Sequence, residues 1–209
     1  GIISTVDKPA GLHHGPAVAI NRGGYIIMDN VSVTHTTNNK SVAVFSYDDS
    51  VKPTPEITYG TGVFNDCILI GASEGIYNED SNITVNGGKV SATTETTSKG
   101  IHNRAIINLN NVTVEGTDIG VDNSGEVSCG VANINGGNIS GGTYGINHTG
   151  VAFSLSGNVE ITGGTADIFL GSGKTVTITG ELTGTDKYTV RTGTAPTETT
   201  SVQITTGWE

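Results

Sequence analysis

The residues best suited to chemistry are His102, Arg104, Asp122, Glu126 and His148. An imidazole beside a carboxylate can pass a proton near neutral pH. Arg104, directly after His102-Asn103, is the basic residue that could abstract a proton from a sugar. His102 and His148 fall at nearly equivalent places in two copies of a repeated phrase, and Asp122 falls in a copy between them. Together with Asn147 and Glu126 they are expected to form one polar stripe. Acid–base work on a sugar chain is the chemistry such a stripe would do. The simpler expectation, and the favoured one, is that these residues face solvent at a corner of the repeat.

Other groupings carry less. A glycosidase needs two carboxylates roughly 5–9 Å apart. Taken as adjacent-rung pairs, Asp118 with Asp122, or Glu115 with Glu95, would meet that spacing. With 20 acidic residues in the chain, such pairs also arise by chance. Asp118, Asp122, Ser124 and Glu126 have a calcium-like spacing without a full calcium-loop pattern. Calcium at Asp118 and Asp122 is the only cofactor the spacing admits, and the default expectation is none. Tyr77 and Tyr144 are the candidate sugar-stacking rings. Gly171-Ser172-Gly173-Lys174-Thr175 has the tail of a phosphate-binding loop but lacks its first glycine, and a strand follows it, so it reads as a turn. Cys67 and Cys129 read as buried thiols rather than a disulfide.

The elements that would position these residues follow from a repeat. Gly75-Ile76-Tyr77-Asn78 returns as Gly100-Ile101-His102-Asn103, Gly120-Val121-Asp122-Asn123 and Gly145-Ile146-Asn147-His148, with Asp167-Ile168-Phe169-Leu170 a degenerate copy. A second phrase runs in step, as in Ile83-Thr84-Val85-Asn86-Gly87-Gly88 and Ala132-Asn133-Ile134-Asn135-Gly136-Gly137. Val85, Leu109, Ile134, Leu155 and Ile178 are its equivalent positions. Two phrases locked at one period of 20–25 residues mark a solenoid. Apolar–polar alternation makes each phrase a short strand with one face inward. The Asn-Gly-Gly and Asn-Asn steps supply the positive φ of a tight corner.

The fold class is therefore all-β, a single-stranded right-handed parallel β-helix of about seven rungs. A left-handed helix would need strict hexapeptides, which are absent. Asp29 to Val33 and Asn65 to Ile70 extend the unit towards the N-terminus. There Val42-Ala43-Val44-Phe45 takes the place of the Gly-Ile phrase, and Ser46 to Glu56 reads as an inserted loop. Residues 1–25 are an N-terminal cap or preceding rung, 26–185 the β-helix, and 186–209 Thr-rich strands that cap it or start a further module. Gly1 and the ending Thr205-Thr206-Gly207-Trp208-Glu209 suggest a piece of a larger protein.

Composition agrees. Of 209 residues, 34% are apolar, against about 45–50% in an ordinary globular chain, and 31 are glycine. A helical bundle is excluded. So is a transmembrane helix, because no apolar run approaches about 20 residues. The net charge of −10 argues against nucleic acid and against an anionic membrane surface.

The Gly-Ile-x-Asn and Ile-x-Val-Asn-Gly-Gly phrases resemble the right-handed β-helix repeats of bacterial secreted and surface proteins. The stretch from Ile168 to Thr206 is similar to the segment that closes such repeats in large adhesin-like wall proteins of gut Gram-positive bacteria. The resemblance covers about residues 26–206. It implies a non-enzymatic extracellular or cell-wall-associated module, monomeric rather than trimeric, that spaces other domains and contacts host or cell-wall glycans. The same fold superfamily holds pectate lyases, polygalacturonases and phage tailspikes. The alternative it implies is a lyase or hydrolase acting on an acidic polysaccharide. Of the polygalacturonase-like motifs only an Asp-Asp pair occurs, Asp48-Asp49, and Arg and Lys are too few for a cleft that binds acidic glycans.

Overall fold

The computed structural model describes residues 2–4, 15–21, 23–36, 41–47, 60–125, 130–184, 187–197 and 201–206. These residues form strands, turns and bends and no helix. The strands lie in two all-parallel sheets, one of twelve and one of eight. They wind as a β-solenoid of about six turns, where the repeat alone implies about seven. Most of the expected inserted loop, residues 48 to 56, lies outside the described residues.

Register partners follow the repeat. Ile76, Ile101, Val121, Ile146 and Ile168 stack as one fully buried column on the eight-stranded sheet. Val85, Leu109, Ile134, Leu155 and Ile178 stack on the twelve-stranded sheet. Each fully buried Ile or Val is worth roughly 1.5–3 kcal/mol of transfer free energy, so these columns are the main source of cohesion. Val44 takes the Ile76 position on the preceding coil and Phe45 takes that of Tyr77.

The glycine that opens each Gly-Ile phrase is required by packing. A Cβ on Gly120 would lie 2.6 Å from the Gly145 carbonyl oxygen and 2.7 Å from Ile139 Cγ2. Equivalent clashes occur at Gly75, Gly100 and Gly145. The corner between the two legs of the larger sheet is equally regular. Asn30, Asp66, Gly87, Asn111, Gly136 and Gly157 all have positive φ, between 50° and 73°. Only Gly, Asn and Asp adopt that conformation at low cost. The Gly171–Thr175 stretch is a turn, with Gly173 at φ 72°, and strand Val176–Leu182 follows it.

At the ends, Ile2–Ser4 pairs with Ser32–His35, and Gly15–Asn21 pairs with Ser41–Tyr47. Val190–Thr192 and Thr205–Thr206 add in parallel to the last coil. No helix among the described residues is long and apolar enough to cross a membrane.

Candidate functional site

Strand alternation decides where the candidate residues sit. In Gly-Ile-x-Asn the Ile points inward, the x outward, and the Asn turns inward again. The outward column of the eight-stranded sheet therefore runs Phe45, Tyr77, His102, Asp122, Asn147, Phe169 and Arg191. The adjacent inward column runs Ser46, Asn78, Asn103, Asn123 and His148.

The structure brings His102 and Asp122 together, with His102 Nε2 3.8 Å from Asp122 Oδ2. Asp122 is nonetheless only 4% exposed. Lys99 Nζ makes a close ion pair with Oδ2, and Asn147 Nδ2 donates to Oδ1 at 2.7 Å. His102 Nε2 also lies 3.2 Å from Ser124 Oγ. The carboxylate thus has partners from the coil on either side and one cation. Arg104 bonds backwards to the preceding coil, to Glu79 Oε1 at 3.2 Å and Tyr77 OH at 3.5 Å. That pair is over a third exposed and worth at most about 1 kcal/mol.

His148 is not equivalent to His102. It lies one residue further along its strand, and that single step carries it to the other face. There it is buried and closes a ladder of amides. Ser46 Oγ donates to Asn78 Oδ1 at 2.7 Å, Asn78 Nδ2 to Asn103 Oδ1 at 2.8 Å, and Asn103 Nδ2 to Asn123 Oδ1 at 2.8 Å. Asn123 Nδ2 meets His148 Nδ1 at 3.0 Å. Burial, reinforced by the Lys174 cation, pulls the imidazole down to about 4, against a weaker opposing effect of Asn123. His148 is therefore neutral at pH 7 and turned away from the Asp122 stripe.

Tyr77 is less open than the sequence expectation of an exposed ring. Tyr77 is 9% exposed, stacked on Phe45 at 5.0 Å between ring centroids and edge-on to His102 at 4.7 Å. Packing along the column fills the space that a sugar ring would need. Tyr144 is half-buried and packs on Phe169 at 5.2 Å. Asp118 is half-buried at a corner, where its backbone bonds to Ser98, Thr143 and Tyr144. Among the described residues no three His, Cys, Asp or Glu side chains converge as a metal site. Cys67 is a buried free thiol whose Sγ lies 3.3 Å from the Met28 carbonyl oxygen. Glu126 and Cys129 lie outside the described residues.

Sequence reasoning missed Lys99 as the cation on Asp122, and it missed the amide ladders. Another ladder runs on the outer face of the larger sheet, from Asn110 to Asn86 to Asn65 to Asp29, each amide nitrogen donating to the oxygen before it. The signal was present as the recurring Asn in each phrase. Reading it required knowing which side of the strand each Asn takes. One further ionised group stitches coils: burial pushes Asp167 up, but the Thr189 amide and hydroxyl and the Gly163 amide outweigh it and hold its carboxyl below the usual range.

No protein-family model, curated protein or solved structure matches the chain. The likeness to secreted β-helix repeats accordingly rests on the phrases themselves.

Proposed function

We propose that the chain is a non-enzymatic, adhesin-like β-helix module of an extracellular or cell-surface protein, which spaces other domains and contacts glycans. One observation supports this most: side chains best suited to catalysis are held by neighbours on adjacent coils. Both oxygens of Asp122 are engaged by Lys99 and Asn147, and Arg104 is engaged by Glu79 and Tyr77. Contacts of this kind fasten coil to coil. The 20–25-residue rung favours the right-handed form, and the Gly-Ile-x-Asn phrase favours a wall-protein setting.

The experiment is incubation with plant, host and bacterial polysaccharides, with and without calcium, followed by sizing of the products. Intact chains throughout, with retention on at least one polymer, are expected. Shortened chains from any substrate would overturn the reading. They would favour the second one, an enzyme acting on an acidic polysaccharide. The observation that keeps that reading in view is His102, less than fully buried and 3.8 Å from the Asp122 carboxylate.

A further inference from the structure

We propose that the outer face of the twelve-stranded sheet binds an uncharged glycan chain, with Asn110 and Asn135 at its polar centre. The proposal rests on the module being a glycan-contacting one and names the place and the class of sugar.

A shallow groove of about 230 Å³ crosses this face, lined chiefly by Asn108, Asn110, Asn133, Asn135, Ser154 and Ser156. Two columns of amides and hydroxyls stand side by side there on successive coils. Part of their hydrogen-bonding capacity is used within the columns. Ser154 donates to Asn133, Asn133 to Asn108 and Asn108 to Asn82. In the second column the chain breaks. Asn110 donates to Asn86, and Ser156 donates to Asn135 Oδ1, but Asn110 and Asn135 do not bond each other although they are register partners. The Asn135 Nδ2 donor and the Asn110 Oδ1 acceptor have no hydrogen-bond partner among the described residues.

Neighbouring strands lie about 4.8 Å apart. Direct amide bonds cross that spacing elsewhere on this face, as from Asn110 to Asn86 at 2.8 Å, so the two leftover groups are free to share one hydroxyl seated between them. A sugar hydroxyl both donates and accepts, so it fits between an amide nitrogen and an amide oxygen. A carboxylate or an ammonium satisfies only one of the two.

Charge points the same way. On the leg of the sheet that carries the groove, from Tyr25 to Ser156, Asp29 is the only charged residue among the described outward positions, while Lys89 and Glu115, paired at 2.7 Å, stand on the adjoining leg. The Lys89 cation on the adjoining leg is already paired with Glu115, and the net charge of −10 repels an acidic sugar. The column containing Asn108 and Asn133 continues to Ile27, 49% exposed, beside Tyr25, 69% exposed. A ring that open is a stacking surface at one end of the same face. An open groove across several coils suits a polymer better than a small ligand, which prefers an enclosed pocket.

The test titrates the protein with cellohexaose, mannohexaose and chitohexaose, and with hexagalacturonate as the acidic control. The side-chain amide resonances of Asn110 and Asn135 are followed by NMR. At least one neutral hexasaccharide is expected to shift them. An Asn110→Leu/Asn135→Leu variant should bind it about ten-fold more weakly, the effect of losing two hydrogen bonds, while still unfolding cooperatively at a melting temperature lowered by loss of the Asn110–Asn86 and Ser156–Asn135 bonds. The milder Asn135→Ser variant keeps the test informative if the double variant melts early. The proposal is overturned if no neutral probe shifts these resonances, if both variants bind as the parent does, or if hexagalacturonate binds more tightly. Binding unaffected by the variants would leave the module reading intact and remove only this face. Cleavage of a probe, read by its mass, would remove the module reading itself.

Discussion

Asn123 Nδ2 lies 3.0 Å from His148 Nδ1, and this contact determines which imidazole nitrogen carries the proton. The same amide nitrogen also faces the carbonyl oxygens of Gly130 and Ala152, each at 3.0 Å. Carbonyls only accept, so the amide nitrogen is the donor and His148 Nδ1 must accept with its lone pair. The ring proton is then on Nε2. Protonating Nδ1 would set one N–H against another at the end of the buried ladder.

Stability should fall in mild acid. The folded-state pKa of His148, about 4, lies below its ordinary 6.5, so the unfolded chain binds the extra proton first. The contribution is fully present above pH 6.5 and is lost as pH falls towards 4, by up to about 3 kcal/mol. Asp167, also depressed, adds a further loss below the usual carboxylate range. Urea midpoints between pH 4 and 7.5 should show the first slope, and His148→Asn should flatten it. A flat profile in the parent protein would contradict the ladder's account of His148.

The ladder should be costly to interrupt. Asn103→Leu keeps the branching and number of side-chain heavy atoms, with somewhat greater bulk, but leaves the Ala105 and Val131 carbonyl oxygens, Asn78 Nδ2 and Asn123 Oδ1 each short of a partner. A loss of about 2–4 kcal/mol is expected. Urea unfolding checks it, and a loss below about 1 kcal/mol would mean that water replaces the amide.

Two glycines should respond in different ways. Gly120→Ala forces a methyl against the Gly145 carbonyl oxygen and Ile139, and overpacking of this kind costs about 1–3 kcal/mol or more. At Gly173 a Cβ meets nothing within 4 Å, so only its φ of 72° opposes Ala there, at about 1–2 kcal/mol. Melting temperatures of the two variants should rank Gly120→Ala clearly lower.

The cation on Asp122 should matter more than the one on Glu79. Lys99→Met strands a nearly buried carboxylate and should cost about 2–3 kcal/mol, softened from the fully buried case because Lys99 is partly exposed. Arg104→Gln should cost less than about 1 kcal/mol. Equal losses in chemical denaturation would show that Asp122 is reached by water.

The repeat was legible because its physics is one-dimensional. Apolar alternation and a single period put Ile76, Ile101, Val121, Ile146 and Ile168 in one column, and the backbone keeps them there. The Asn-Gly-Gly corners were legible for the same reason, since few residues tolerate positive φ. The site was less legible. His102 and His148 differ by one place in the phrase, and although alternation makes one place a change of face, their near-equivalence in the repeat masks it. Tyr77 read as a ring in solvent because nothing in its own phrase reveals that Phe45 and His102 close over it from neighbouring coils.

The buried amide chain has a direction, and its ends are chemically distinct. It begins at a hydroxyl, Ser46, and ends at an imidazole nitrogen that only accepts, while Leu170 on the next coil closes the column with hydrocarbon. Every link between Asn78 and Asn123 is the same, an amide nitrogen facing the next amide oxygen. Copying or deleting one whole coil in that stretch would therefore keep donors facing acceptors throughout. Moving either terminus inward would not. The rod's length is free to drift by whole turns, while its two end groups are held by the polarity of the chain between them.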